Sequence, residues 1–389
     1  MELEFYFEPI DKSNYPFIKG QNSIAEKITI FNSDVYSKIE SFNIALIGLQ
    51  DDRNSSNKGT SKAAPLIRKH LYSLFLHNGN TSILDLGNLK NGKTVDDTYR
   101  ALQDVVIYLQ TKNIIPIIFG ASQDMMFPIS KTLKELLADF SISTIDSRLD
   151  SGNIDELHNQ SVVKFIENEV IPDSYCTIGT QNYLIPQNEL TFFEERAFKT
   201  FRLGKIRENI KKSEPLLRNA HFTTFDISAV RQCDAPGNRQ FSPNGLTSEE
   251  ICQLAKYSGI SEKTCCYFLC ECNPEIDFNE QTSVLSAHIL WHIIDSISNR
   301  KGDYPHESID ELNKYMVNTE EFGSFFVFYK SLKTDRWWIE IINEVENTTK
   351  LTPCNYDDYL NACQNVIPDI YLQERDRQIK KKTKIIETY

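Results

Sequence analysis

The chain has 389 residues, a formal net charge of −12, and 40% hydrophobic and 25% charged residues. That is the balance of an ordinary globular protein, long enough for one large α/β domain or two small ones. The acidic excess argues against nucleic acid or an anionic membrane as the main partner. No apolar run approaches the roughly 18 residues a membrane span needs.

Met1 to Pro9 carries Glu2, Glu4 and Glu8 where a secretory signal would be basic and then apolar, so a cytoplasmic location is expected. Residues 1–40 mix aromatic, polar and charged types without a clean period and read as an extension, with Phe5, Tyr6 and Phe7 available to pack on the body. From Asn43 to Leu49 a short apolar run suits a strand buried on both faces. Ser82–Leu86, Ile114–Gly120, Ser141–Asp146, Tyr175–Gly179, His221–Asp226 and Cys266–Glu271 repeat the pattern. Helical spacing falls between most of them. Val95–Thr111 places Tyr99, Leu102, Val105, Val106 and Leu109 on one face, with Asp96 and Asp97 near the positive end of the helix dipole. Ile129–Phe140, Gln160–Val170, Gln187–Arg196, Ile206–Leu217, Ser248–Tyr257 and Thr282–Ser298 supply further helices. This alternation predicts a three-layer α/β/α domain over residues 41–300, with a mainly parallel sheet.

Residues 301–389 depart from the pattern. Phe325–Tyr329 and Arg336–Ile341 flank a polar Lys333-Thr334-Asp335 turn and predict a hairpin. Tyr356–Cys363 predicts a short helix, followed by a polar tail in which Lys380–Lys382 and Lys384 form a solvated basic cluster. Two clusters invite a zinc reading. Cys265, Cys266, Cys270 and Cys272 lie in a strand-like run whose alternate side chains face opposite ways, so reduced core cysteine is expected. His288 and His292 are one helical turn apart beside Trp291 and read as helix-packing residues.

In a parallel sheet, ligands bind beyond the carboxyl ends of the strands. Those ends read Gly120-Ala121-Ser122-Gln123-Asp124, Asp146-Ser147-Arg148-Leu149-Asp150, Asp226-Ile227-Ser228 with Asp234-Ala235-Pro236-Gly237 beyond, and Glu271-Cys272-Asn273-Pro274. Acids and amides gather at one rim. In this order, and with Gly59–Arg68 as a first loop and helix, residues 40–298 resemble the arginase, agmatinase and formimidoylglutamase family, bacterial formimidoylglutamase-like members in particular.

The resemblance implies an arginase-like fold and a centre in which six side chains hold two manganese ions. Three of those six are present, Asp146, Asp150 and Asp226. Gln123 stands where the first histidine belongs, Arg148 where the second belongs, and Ser228 where the last aspartate belongs. A guanidinium has donors only and cannot ligate a metal. Arg148 is therefore expected to lie across the second site and pair with Asp146 and Asp226. Glu271 matches the acid that recognises an amidine group, and His158 is a candidate for the proton-shuttling histidine; both are vestigial candidates here. The expected function is that of a catalytically silent ureohydrolase-fold protein, a pseudoenzyme acting as a binding or assembly module. No metal cofactor is expected. Its terminal extensions would meet a protein partner or a sister chain, and its pocket a small guanidino or amidine ligand. The alternative is an active amidine or guanidine hydrolase with an altered site or a single manganese or magnesium ion, held by Gln123, Asp146, Asp150 and Asp226.

Overall fold

Alternate residues of the buried strands enter two different apolar cores. In the strand Ile44–Leu49, Ile44 and Leu46 join one core while Ala45, Ile47 and Leu49 join the other. A sheet buried on both faces requires that division. The computed structural model describes residues 2–15, 20, 22–77, 81–152, 157–305, 311–319, 324–343 and 348–387.

The strands in chain order are β1 (Phe7–Glu8), β2 (Thr29–Ile30), β3 (Ile44–Leu49), β4 (Ile83–Leu89), β5 (Ile115–Gly120), β6 (Ser141–Ile145), β7 (Ser174–Thr180), β8 (Lys199–Arg202), β9 (Phe222–Asp226) and β10 (Cys266–Cys270). They form one sheet in the order β1-β4-β3-β5-β10-β9-β6-β7-β8, with β2 also on β4. Every pairing in it is parallel except that of β1 with β4. The longer helices of this part are α1 (Ala63–Ser73), α2 (Val95–Thr111), α3 (Met126–Leu136), α4 (Gln187–Glu195), α5 (Ser248–Gly259) and α6 (Gln281–Ser298). Side chains of α1, α5 and α6 fill one core and those of α2, α3 and α4 the other. Thr94 and Asp97 form a capping box at the start of α2, and Thr247 and Glu250 do so for α5, which satisfies backbone N–H groups the helix cannot. The three-layer α/β/α arrangement expected from the sequence is present.

The amino-terminal residues join the sheet through β1 and β2, with Leu3 and Phe7 buried; Phe5 stays exposed, and the half-buried Tyr6 donates to Asp104 at 3.0 Å. β8 was not anticipated. The continuous helix expected over Ile206–Leu217 is broken into Leu203–Glu208, a 3₁₀ turn at Ile210–Ser213 and Glu214–Arg218. Asn209 is extended at the break, and Pro215 has no N–H for a helix interior. The stretch expected as the helix Gln160–Val170 is four α-helical residues, Val162–Phe165, followed by a π-helical turn at Ile166–Val170.

The predicted hairpin is the centre of a four-stranded antiparallel sheet, β11 (Leu312–Thr319), β12 (Ser324–Ser331), β13 (Trp337–Asn343) and β14 (Thr348–Cys354), in that order. α7 (Tyr356–Cys363) covers one face, where the Tyr359 ring stacks on Trp337 at 4.8 Å. The expected polar tail is instead the helix α8 (Asp369–Glu387). Lys380 is half-buried on it, pairs with Asp376 at 3.0 Å and donates to the Glu194 carbonyl at 2.7 Å, so it is no solvated tail residue. The side chains of Lys381, Lys382 and Lys384 lie outside the described residues.

Arg218 fixes this sheet to the body. Its side chain is buried, lies over the Trp338 ring at 4.5 Å, and donates to the Trp337 and Cys354 carbonyls at 3.1 and 3.3 Å. Cys266, Cys270 and Cys272 are free thiols in the cores, and Cys265 packs against them half-buried, as core cysteine should. His292 meets Trp291 edge-on at 5.0 Å, whereas His288 is exposed and departs from the packing role expected of it. No helix among the described residues is long and apolar enough to cross a membrane.

Candidate functional site

The carboxyl ends of β5, β6, β9 and β10 bring their loops to one place. Asp226 ends β9, Asp146 follows β6, Gln123 lies just beyond β5, and Glu271 follows β10. Three residues of these loops, Ala121, Asp150 and Glu271, hold positive φ of 60°, 46° and 66°, a conformation side chains with a Cβ avoid unless the surroundings impose it. The Glu271 N–H donates to the Ala121 carbonyl at 3.1 Å, so two of these strained residues brace each other.

Asp146, Asp150 and Asp226 are buried, and each offers an oxygen within 4.8 Å of the others. The three acids named from the strand ends thus lie within reach of one another. Burial and mutual repulsion act on them in one direction. Asp146 and Asp226 are pushed well above the usual carboxylate range, first by burial and then by a neighbouring charge, that of Asp150 on Asp146 and that of Asp146 on Asp226. Asp150 is raised to about 7 by burial, with the charges of Asp226 and Glu189 adding to it. With their oxygens within 4.8 Å of one another, the three carboxyl groups hold protons more readily than isolated acids do.

Three of their oxygens meet N–H donors. Gln123 Nε2 donates to Asp146 Oδ2 at 2.9 Å, and the Arg148 N–H to Asp146 Oδ1 at 2.9 Å. The Ser228 N–H donates to Asp226 Oδ1 at 2.7 Å. The side chain of Arg148 does not pair as expected. Its Nη1 donates to the Leu184 carbonyl at 3.1 Å, its Nε is buried without a hydrogen-bond partner, and among the described residues it forms no ion pair. Its charge reaches Asp226 only as a weaker attraction that lowers the carboxyl pKa. The carbonyl that captures it comes from the turn after β7, which sequence spacing does not place.

Glu271 is also enclosed. Its Oε2 accepts from Asn57 Nδ2 at 2.9 Å, and its Oε1 from the Gln123 N–H at 2.8 Å and Asn159 Nδ2 at 3.3 Å. Burial raises it to about 8, with the Asp226 charge adding to this. Every oxygen of this acid is thus held by loop amides, which suits a structural acid. Asn273 Nδ2 extends the lock to Asn57 Oδ1 and the Lys58 carbonyl, both at 2.7 Å. A Cβ on Gly59, at φ +114°, would stand 2.3 Å from Asn273 Oδ1, so the first loop closes only with glycine there.

His158 stays in its own loop, where Nδ1 accepts from the Gln160 N–H at 3.3 Å. Burial and the Lys58 charge lower its pKa. It is the neighbouring Asn159 that reaches Glu271. Residues 153–156, which precede His158 in the loop, lie outside the described residues. Asn57 and Asn159 were missed by sequence reading, and Asp124, part of the first strand-end motif, was given no role there; it is buried, raised to about 7 by burial, and accepts from Ser122 and Tyr99. Loop amides carry no periodicity that would mark them.

The donor set fits one divalent ion and not two. Three carboxylates with the Gln123 amide oxygen, were that amide reversed, make a hard oxygen set of the kind manganese, magnesium or calcium accepts. At the second position Arg148 has donors only and Ser228 offers a neutral hydroxyl.

A family model described as the arginase family matches residues 42–295. The formimidoylglutamase of Bacillus subtilis (strain 168) is 22% identical over 307 residues, covering 72% of this chain and 96% of that protein. The crystal structure of the B. subtilis formimidoylglutamase superposes with a TM-score of 0.65 at 18% identity, over 73% of this chain and 94% of that one. The formiminoglutamase of Trypanosoma cruzi, solved with manganese, gives 0.62 at 17% identity, over 67% and 95%.

Proposed function

The chain belongs to the arginase family, and from that premise we propose that it is a member without two-metal hydrolysis, serving as a binding or assembly module. One observation carries the reading. Asp146, which the family resemblance would make a ligand to both ions, has one oxygen on the Arg148 N–H and the other on the Gln123 side-chain amide. Hydrogen-bond donors occupy the directions from which cations would approach. Hydrolysis of an amidine at neutral pH needs a water acidified by metal, and a pair of ions supplies that together with the clamp on the attacking oxygen. The residues here would hold at most one.

The surface for binding is the carboxyl-terminal sheet. Met316, Phe325 and Ile342 are 62%, 62% and 60% exposed. Met316 stands opposite Val327, and strand alternation places Phe325 and Ile342 on that same face, beyond the buried Val327 and Trp338. A protein partner or a sister chain would cover it.

The test is elemental analysis of protein purified without chelator, together with assays for formamide from formimidoylglutamate and urea from arginine and agmatine. Less than a tenth of an equivalent of manganese and no turnover is the expected result. A tightly held ion whose removal abolishes turnover would overturn the reading in favour of a one-metal hydrolase on Asp146, Asp150 and Asp226.

A further inference from the structure

A second concave site lies at the opposite end of the sheet. Lys199 opens β8, Cys176 lies near the start of β7, and both line a groove of about 440 Å³ whose far wall is α7 and α8. Its volume falls in the range of roughly 300–1,000 Å³ typical of small-molecule sites. The strands are parallel, so this groove is at their amino ends while the carboxylate cluster is at their carboxyl ends. The two sites are separate.

The walls differ in character. Phe198, Phe201, Leu216 and Ile370 give an apolar side. Asp357, Asp358 and Asp369 give an acidic one, and the Asn361 and Gln373 amides also line the groove. The lysines nearby are largely committed. Lys199 is paired with the buried Glu374 at 2.9 Å, and Lys380 with Asp376 at 3.0 Å. Lys212 remains to face three acids. Asp358 shows the imbalance: burial raises its carboxyl pKa, and the charges of Asp369 and Asp357 raise it further, against the hydrogen bond it accepts from the Asn355 N–H at 2.8 Å and the pull of Lys212.

A small recess of about 20 Å³ continues the groove inward, sharing Cys176, Lys199, Leu216, Pro353 and Ile370 with it. Thr352 lines this recess, and its Oγ1 is buried with no hydrogen-bond partner among the described residues. A buried hydroxyl without a partner is uncommon in a folded protein. Here it sits where the inner end of a ligand would arrive.

We propose that this groove binds a small organic cation with a short alkyl chain. An ammonium or guanidinium head would lie against Asp357, Asp358 and Asp369, the chain along Phe198, Phe201 and Ile370, and a polar tip at Thr352. The apolar side disfavours a bare metal ion, and the committed lysines disfavour an anion. The inference does not depend on whether the strand-end carboxylates hold a metal.

Calorimetric titration of the full chain with 1,5-diaminopentane and with butylguanidine tests it, with 1,5-pentanediol as the uncharged control. Both cations are expected to bind with sub-millimolar affinity that weakens with added salt, and the diol is expected not to bind. Asp357→Asn with Asp369→Asn changes two exposed acids and should weaken the cations at least tenfold. Asn361→Lys should do the same by placing a fixed cation at the mouth. Asp226→Asn, in the distant cluster, should leave binding unchanged. No heat with either cation at ten millimolar, affinity indifferent to the groove variants, or affinity lost in Asp226→Asn would each overturn the proposal; the last would move the cation to the strand-end cluster.

Discussion

Gln123 Nε2 donates to Asp146 Oδ2 at 2.9 Å in a site from which solvent is excluded, so an amide hydrogen stands against the central carboxylate of the cluster. Replacing Gln123 with Leu removes that donor and leaves the carboxylate oxygen unpaired. The loss should be about 1–3 kcal/mol in urea unfolding, because a buried acceptor without its donor keeps its full desolvation penalty. If Gln123→Leu left stability unchanged, the amide hydrogen bond would not be supporting the buried acid.

Asp150→Asn separates a bare carboxylate cluster from a loaded one. Without an ion, three close carboxyl groups repel each other or hold protons, and a neutral amide relieves that. The variant should be as stable as the parent or up to about 1 kcal/mol more stable, measured by urea unfolding with chelator present and absent. A sharp loss of stability that chelator reproduces in the parent would show that an ion had been holding the acids together.

Arg218→Ala should release the carboxyl-terminal sheet. The change removes the cation over Trp338 and two donors to the backbone of β13 and β14, and it strips Glu214 of a 2.9 Å ion-pair partner. Breaking one side of a buried pair costs about 3–5 kcal/mol. Limited proteolysis should then cut the chain after α6 much faster than in the parent. An unchanged digestion pattern would count against the lock.

Two buried charges give the junction a pH dependence with a definite sign. Burial alone would raise Glu374, but Lys199 and Arg377 outweigh it and hold the carboxyl at about 2, below its ordinary 4.5. Stability from this group is complete above 4.5 and drains away as pH falls toward 2. Lys263 is lowered from 10.5 to about 7, first by burial and then by the Lys350 charge, against the attraction of Asp139. Between pH 7 and 10.5 the unfolded chain binds a proton there that the folded chain has shed, so stability from this group rises with pH across that window. Unfolding measured from pH 6 to 10 in the parent and in Lys263→Met should show the parent gaining on the variant as pH rises. A constant difference would refute the buried-lysine assignment.

The buried pair of Arg68 and Asp85 anchors the other edge of the sheet. Arg68 Nε and Asp85 Oδ2 are 2.8 Å apart with both side chains fully enclosed, and Tyr72 donates to the same oxygen at 2.9 Å. Arg68→Met should lose about 3–5 kcal/mol, whereas the double change with Asp85→Leu should recover much of it, since no lone charge is then left inside. Thermal melts of the two variants check the order.

Strands buried on both faces were legible because they are continuous apolar runs, as in Ile44–Leu49 and Ile114–Gly120. β8 was not, because Lys199, Thr200, Phe201 and Arg202 make a short edge strand that is half polar. α8 has apolar contacts only near its start, where Ile370 and Tyr371 pack on the sheet; further along, its buried residue among those described is Glu374, an acid made acceptable by Lys199 and Arg377. At the site, the gathering of Asp146, Asp150 and Asp226 followed from strand ends alone. The course of the Arg148 side chain did not. Three carboxylates favour a guanidinium nearby, yet the side chain donates to the Leu184 carbonyl, which belongs to a different loop.

The clasp around Arg218 also sets an order of events during synthesis. The carbonyls of Trp337 and Cys354 that receive this guanidinium leave the ribosome long after the body's last strand, β10, has emerged. Until then a cation destined for the interior stays in water, and the flank that will carry β13 and β14 remains uncovered. A nascent chain stalled before Trp337 should therefore engage holding chaperones even though its main sheet is complete.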